Sequence, residues 1–105
     1  MRVHVTGFGS FRGVSDNPTS RLAAALPGHL SAMDPAPAAW ELCSCTVAHV
    51  SARGCREALD AIEADSGGGE APAVWLHFGV AGHYKSACLE TTAYNEATFR
   101  CPDEE

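Results

Sequence analysis

Hydrophobic positions fall into two rhythms along this chain. From Arg2 to Thr6, Val3 and Val5 alternate with polar neighbours and the pattern stops at Gly7, which predicts a short buried first strand. A glycine-spaced loop follows, Gly7-Phe8-Gly9-Ser10-Phe11-Arg12-Gly13. Asn17-Pro18-Thr19-Ser20 then predicts a helix start, because asparagine suits the N-cap and proline the first helical position. Leu22, Ala23, Ala25 and Leu26 supply its apolar face, and Pro27-Gly28 predicts its end. Residues 31 to 39 carry Pro35, Pro37 and four alanines, and read as a surface loop.

Trp40 to Val47 reads as a second strand. Ser51 predicts the cap of a second helix from Ala52 to about Ala64. Leu59 and Ile62 are expected to face inward, with Cys55 and Ala58 on the same side. Ser66-Gly67-Gly68-Gly69-Glu70 is a flexible connector within one domain. The near-continuous apolar run from Ala73 to Val80 predicts a central strand of a parallel sheet, buried on both faces. Leu89 to Phe99, rich in threonine and aromatic residues, reads as extended. Strands alternating with helices predict an α/β fold, a three-layer α/β/α sandwich. The last extended segment has no evident partner, so the sandwich is expected to be incomplete at the C-terminus.

Composition narrows the function classes. The formal charge is −6 and the seven basic residues are scattered, which argues against nucleic acid as a partner. No run approaches the about 18 apolar residues of a membrane helix. Met1-Arg2-Val3-His4-Val5 is too short and polar for a signal peptide, so a soluble, cytosolic protein is expected. The five cysteines fit no zinc spacing. Cys43-Ser44-Cys45 with His49 is their densest cluster, and it reads as small buried thiols of a strand.

Three segments could carry chemistry. Gly7-Phe8-Gly9 follows a strand as a dinucleotide loop would, but Arg12 stands where the third glycine is required and no helix begins at once. Phe8 and Phe11 suit either core packing or the walls of an apolar pocket. Glu90 shares a strand face with Cys88 and Thr92, opposite Leu89, and is either a solvent-facing carboxylate or the orienter of a histidine. No spacing marks a partner for it among His4, His29, His49, His77 and His83. Arg100 could stabilise an oxyanion or simply pair with Asp103.

Taken together, these segments resemble the pyroglutamyl peptidase type I family. The carriers are Thr6-Gly7-Phe8 with Phe11, Asn17-Pro18-Thr19, Phe78-Gly79-Val80, Leu89-Glu90 with Ala93 and Asn95, and Arg100 with Pro102-Asp103. The wording from Asn95 to Glu104 is similar to plant-type members. The resemblance implies that residues 1–105 are the N-terminal part of a single α/β domain. It also implies a cysteine peptidase that removes N-terminal pyroglutamate, with a Cys–His pair supported by glutamate and with neither cofactor nor metal. Glu90 falls on that glutamate and Arg100 on an arginine assisting the oxyanion. Phe8 and Phe11 fall on aromatic residues around the lactam ring, Thr46 and Cys101 on pocket-wall positions, and the backbone of Val80 on the ring's polar edge.

The departures are local at Ser10, Ala87, Cys88 and Thr91, and large for the catalytic pair. No cysteine or histidine of these residues matches the family's nucleophile or base, so the chain is expected to be inactive alone. Two other readings stay open. One is a truncated, non-catalytic form that binds pyroglutamyl ends or a protein partner. The other is a small nucleotide-binding domain, which the missing glycine disfavours.

Overall fold

The computed structural model describes residues 1–66 and 72–96. They form a small α/β domain of three strands and two helices. The strands are β1 (Arg2–Phe8), β2 (Glu41–Ala48) and β3 (Ala73–His77), and the helices are α1 (Pro18–Ser31) and α2 (Ala52–Asp65). All pairing is parallel, in the order β2-β1-β3. No helix among the described residues is long and apolar enough to cross a membrane.

β1 is the central strand, and its alternation sorts the two faces of the sheet. Val3, Val5 and Gly7 look one way, and His4, Thr6 and Phe8 the other. His4 to Gly7 are buried, whereas the ends of the strand are half-buried. Between Val3 and His4 the register against β2 slips by one residue, leaving Cys43 without an opposite number. Beyond the slip, His4 opposes Ser44 and Thr6 opposes Thr46 on one flank; Trp75 and His77 oppose the same two residues on the other.

α1 packs against β1 at Gly7. A Cβ on that residue would meet the Thr19 carbonyl oxygen at 2.3 Å and the Ala23 Cβ at 3.3 Å, so only glycine lets the helix approach so closely. Both caps form as the sequence predicts. The Asn17 side chain accepts from the Thr19 N–H, and the Ser51 side chain from the Gly54 N–H. On α2, Gly54, Ala58 and Ile62 are buried, while Cys55 and Leu59 are half-buried.

α1 does not end at Pro27-Gly28 but runs on to Ser31. Proline lacks a donor, yet Pro27 is exposed, and its carbonyl accepts the Ser31 hydroxyl at 2.9 Å. The last turn also brings half-buried Leu30 to a cleft that it shares with Trp40 and Leu42. Helix α1 thus continues past the local stop signal to Ser31.

The larger correction concerns the apolar run at residues 73–80. It is not a central strand buried on both faces. β3 ends at His77, lies on one edge of the sheet, and leaves Val74 and Trp75 exposed. Phe78 adds one further ladder bond, donating to the Thr6 carbonyl at 2.8 Å. Both helices pack mainly over β1 and β2, so apolar composition alone does not bury β3. Nor is the segment from Leu89 a strand: residues 87–94 have no regular structure and are exposed, and residues 97–99 lie outside the described residues.

Candidate functional site

Parallel strands in an open α/β sheet present their carboxyl ends to one rim, and ligands of such folds gather there. At the end of β1 the chain is fastened from two sides. The Gly9 N–H donates to the Ala48 carbonyl at the end of β2 (2.9 Å), and the Gly9 carbonyl accepts from Asn17 Nδ2 (2.9 Å). Asn17 Oδ1 in turn accepts from the Thr19 N–H at 3.0 Å and from the Thr19 hydroxyl at 2.8 Å. The Thr19 hydroxyl oxygen accepts the Phe8 N–H at 2.9 Å. Asn17 and Thr19 are both buried, with their polar atoms matched inside this network.

The loop leaving Gly9 closes into a tight turn. Phe11 and Val14 exchange backbone hydrogen bonds of 3.0 and 2.8 Å, and Gly13 between them has φ +80°. An L side chain at Gly13 would be strained in that left-handed region. Phe11 is half-buried and borders a shallow cup of about 500 Å³ formed by Ser10 to Ser15.

Two further carboxyl ends flank this loop. Thr46 lies near the end of β2 opposite Thr6, and it is half-buried. On the other flank, the Thr6 hydroxyl is hydrogen-bonded to His77 Nδ1 at 2.7 Å, which fixes an exposed imidazole at the tip of β3. Gly79 and Val80 follow and are exposed.

The topology therefore gathers Phe8, Phe11, Thr46 and Val80 at one end of the sheet. Glu90 stands apart from any regular element, is exposed, and makes no hydrogen bond or ion pair with the described residues. It does not share a strand face with Cys88 and Thr92, because no strand forms there. Arg100 and Cys101 lie outside the described residues. A roomier open cleft of about 560 Å³ lies at the opposite end of the sheet, between Met1, Leu30, Trp40 and Leu42, and none of Phe8, Phe11, Thr46, Val80 and Glu90 lines it.

Polar pairs that no sequence spacing shows lie on the sheet face carrying His4. Its Nδ1 is hydrogen-bonded to Ser44 Oγ at 2.8 Å, its Nε2 to Ser66 Oγ at 3.3 Å, and its ring meets the edge of Trp75 at a centroid distance of 6.3 Å. His4 is fully buried, so these contacts anchor β1 to β2 and to the end of α2. Finding such pairs requires the strand register, which is a long-range property.

Four cysteines are described, and all are free thiols. Cys45, half-buried on β2, has its thiol pKa pushed up by desolvation, the reverse of what an activated nucleophile needs. Among the described residues no three or more His, Cys, Asp or Glu side chains are placed so that they could hold a metal ion. Comparison of the chain with protein-family models, with curated proteins and with solved structures finds no match.

Proposed function

We propose that this chain carries the substrate-pocket part of a cysteine peptidase of the pyroglutamyl peptidase type I kind, acting on peptides with an N-terminal pyroglutamate in the cytosol. Phe8 and Phe11 wall the lactam ring, Thr46 and Cys101 complete the wall, and the backbone at Val80 meets the ring's polar edge. Glu90 orients the catalytic histidine, and Arg100 assists the oxyanion. The single observation that carries this function is positional: Phe8 ends β1, Thr46 lies near the end of β2, and Val80 follows β3 beyond its carboxyl end, the three strands being adjacent and parallel. A three-layer α/β/α arrangement belongs to the same proposal. It is supported by α1 at Gly7 on one face of β1 and by Ser66, at the end of α2, bonded to His4 on the other.

The chemistry is consistent with these residue types. A pyroglutamyl ring is small, flat and uncharged, so apolar walls accept it and a few backbone groups match its lactam N–H and C=O. A protonated N-terminus would lose its hydration there without gaining a partner, so ordinary peptides are rejected. No cysteine or histidine of these residues is assigned to the reacting pair. A non-catalytic role, capturing pyroglutamyl ends or a protein partner, is the second reading, favoured by the exposed apolar residues Val74, Trp75 and Val80.

The test uses the 105-residue chain, shown to be folded by circular dichroism, with a pyroglutamyl-coupled reporter dye, with and without a thiol alkylator. No release above buffer is expected, because a glutamate orienter without its thiol and imidazole cannot form an acyl-enzyme. Binding is expected: a pyroglutamyl amide shifts the NMR signals of Gly9, Phe11 and Val80, and a prolyl amide, with its charged ring nitrogen, does not. Alkylator-sensitive release would make one of the five cysteines a working nucleophile. Absence of pyroglutamyl-specific shifts would remove the pocket.

A further inference from the structure

We propose that Asn17 is a positioning residue for the candidate pocket, a clamp that sets the loop bearing Phe11 as well as a helix cap. Its role in the pocket rests on the function proposed above. An N-cap needs only a side-chain acceptor for an N–H of the first turn, which Asn17 Oδ1 supplies to Thr19 at 3.0 Å. The Nδ2 donor is surplus to that task. It reaches eight residues back, to the Gly9 carbonyl at 2.9 Å, from a side chain that is 2% exposed.

Gly9 is the residue at which the loop leaves β1, and its N–H is already held by Ala48. With both of its backbone groups bound, Gly9 fixes the takeoff of residues 10–16 relative to β1, β2 and α1 together. Thr19 extends the clamp by one residue, its hydroxyl accepting the Phe8 N–H while donating to Asn17 Oδ1. The backbone on which Phe8 and Phe11 stand is thus set by folding, so a small rigid cyclic amide need not order the loop as it binds. Asparagine suits the position because it presents an acceptor to the helix on Oδ1 and a donor to the loop on a second atom, Nδ2.

The test separates the two halves of the side chain. Asn17→Asp keeps a capping oxygen and loses the donor to Gly9, and Asn17→Ser keeps a capping oxygen but has one polar atom, on a shorter side chain, in place of two. Backbone amide hydrogen exchange by NMR is compared with that of the unaltered chain, alongside titration with pyroglutamyl amide. Both variants are expected to retain α1 protection, to exchange the Phe11 and Val14 amides at least tenfold faster, and to bind pyroglutamyl amide at least tenfold more weakly. Unchanged exchange at Phe11 and Val14 would overturn the clamp. Loss of the whole fold in both variants would overturn it too, by making the Gly9 bond a global rather than a local support. Faster exchange with no pyroglutamyl binding even in the unaltered chain would leave the loop clamp standing, remove its assignment to a pocket, and refute the peptidase pocket instead.

Discussion

Replacing Gly7 by alanine tests how tightly α1 is seated on the sheet. The new Cβ would lie 2.3 Å from the Thr19 carbonyl oxygen and 2.8 Å from the Thr19 carbonyl carbon. Both are backbone atoms and no rotamer can move them away, so the helix must retreat by roughly 1 Å to reach an ordinary contact. The Thr19 hydroxyl, bound to the Phe8 N–H at 2.9 Å, resists that retreat. Overpacking of this kind costs about 1–3 kcal/mol, and loosening the part-buried Phe8 N–H bond adds about 0.5–1.5 kcal/mol, so a loss of about 3 kcal/mol is expected. For a domain of this size that lowers Tm by about 12–24 °C. Gly28→Ala is the control. Gly28 lies in α1 with nothing within 4 Å of its would-be Cβ, and removing a helical glycine there gains about 0.5–1 kcal/mol. Thermal unfolding followed by circular dichroism reads both variants. A Gly7→Ala Tm within about 4 °C of the unaltered protein would refute the close seating of α1.

Three further outcomes follow from burial and bonding. Ile62→Ala, at a site only 3% exposed, should cost about 2–5 kcal/mol, whereas Val74→Ala on the open edge strand should cost less than about 1 kcal/mol; similar urea midpoint shifts for the two would contradict the edge placement of β3. His4→Leu strips Ser44 of its imidazole partner and should cost at least about 1–3 kcal/mol, and adding Ser44→Ala should recover part of that loss, a coupling that a double-mutant cycle measures. Cys45, its thiol pKa raised by desolvation, should be alkylated with a rate-versus-pH midpoint above that of an unfolded peptide. Because the folded thiol then keeps its proton to higher pH than the unfolded one, stability should fall as pH rises from the ordinary cysteine range through the raised value. An unshifted alkylation midpoint would contradict its desolvation.

Signals that act over a few residues were legible. Asn17-Pro18 starts α1, Ser51 starts α2, and the alternation of Val3 and Val5 makes β1. Each depends on a cap, a fixed φ or a pleat, which neighbours along the chain decide. Three readings failed because distant contacts outweigh local ones. Pro27-Gly28 did not stop α1, which runs on to Ser31 along β1 and β2. The run from Ala73 was expected at the centre of the sheet, yet β1 lies there and β3 lies on an edge. The threonine-rich segment from Leu89 forms no strand among the described residues, because β-propensity yields a strand only where an edge and a packing face receive it.

The candidate site divides in the same way. Phe8, Phe11, Thr46 and Val80 could be named from residue types and resemblance, and parallel topology then draws them to one rim of the sheet. The bonds that set the rim were hidden: Asn17 to Gly9, Gly9 to Ala48, Thr6 to His77. Local sequence set where both helices start and that β1, β2 and the run from Ala73 are extended, because capping and pleat periodicity are properties of adjacent residues. Only the tertiary structure decided which strand is central, which apolar side chains stay in water and which polar side chains meet. Strand order, register and helix seating bring together residues as distant in the chain as Thr6 and Phe78, and no local pattern encodes those separations.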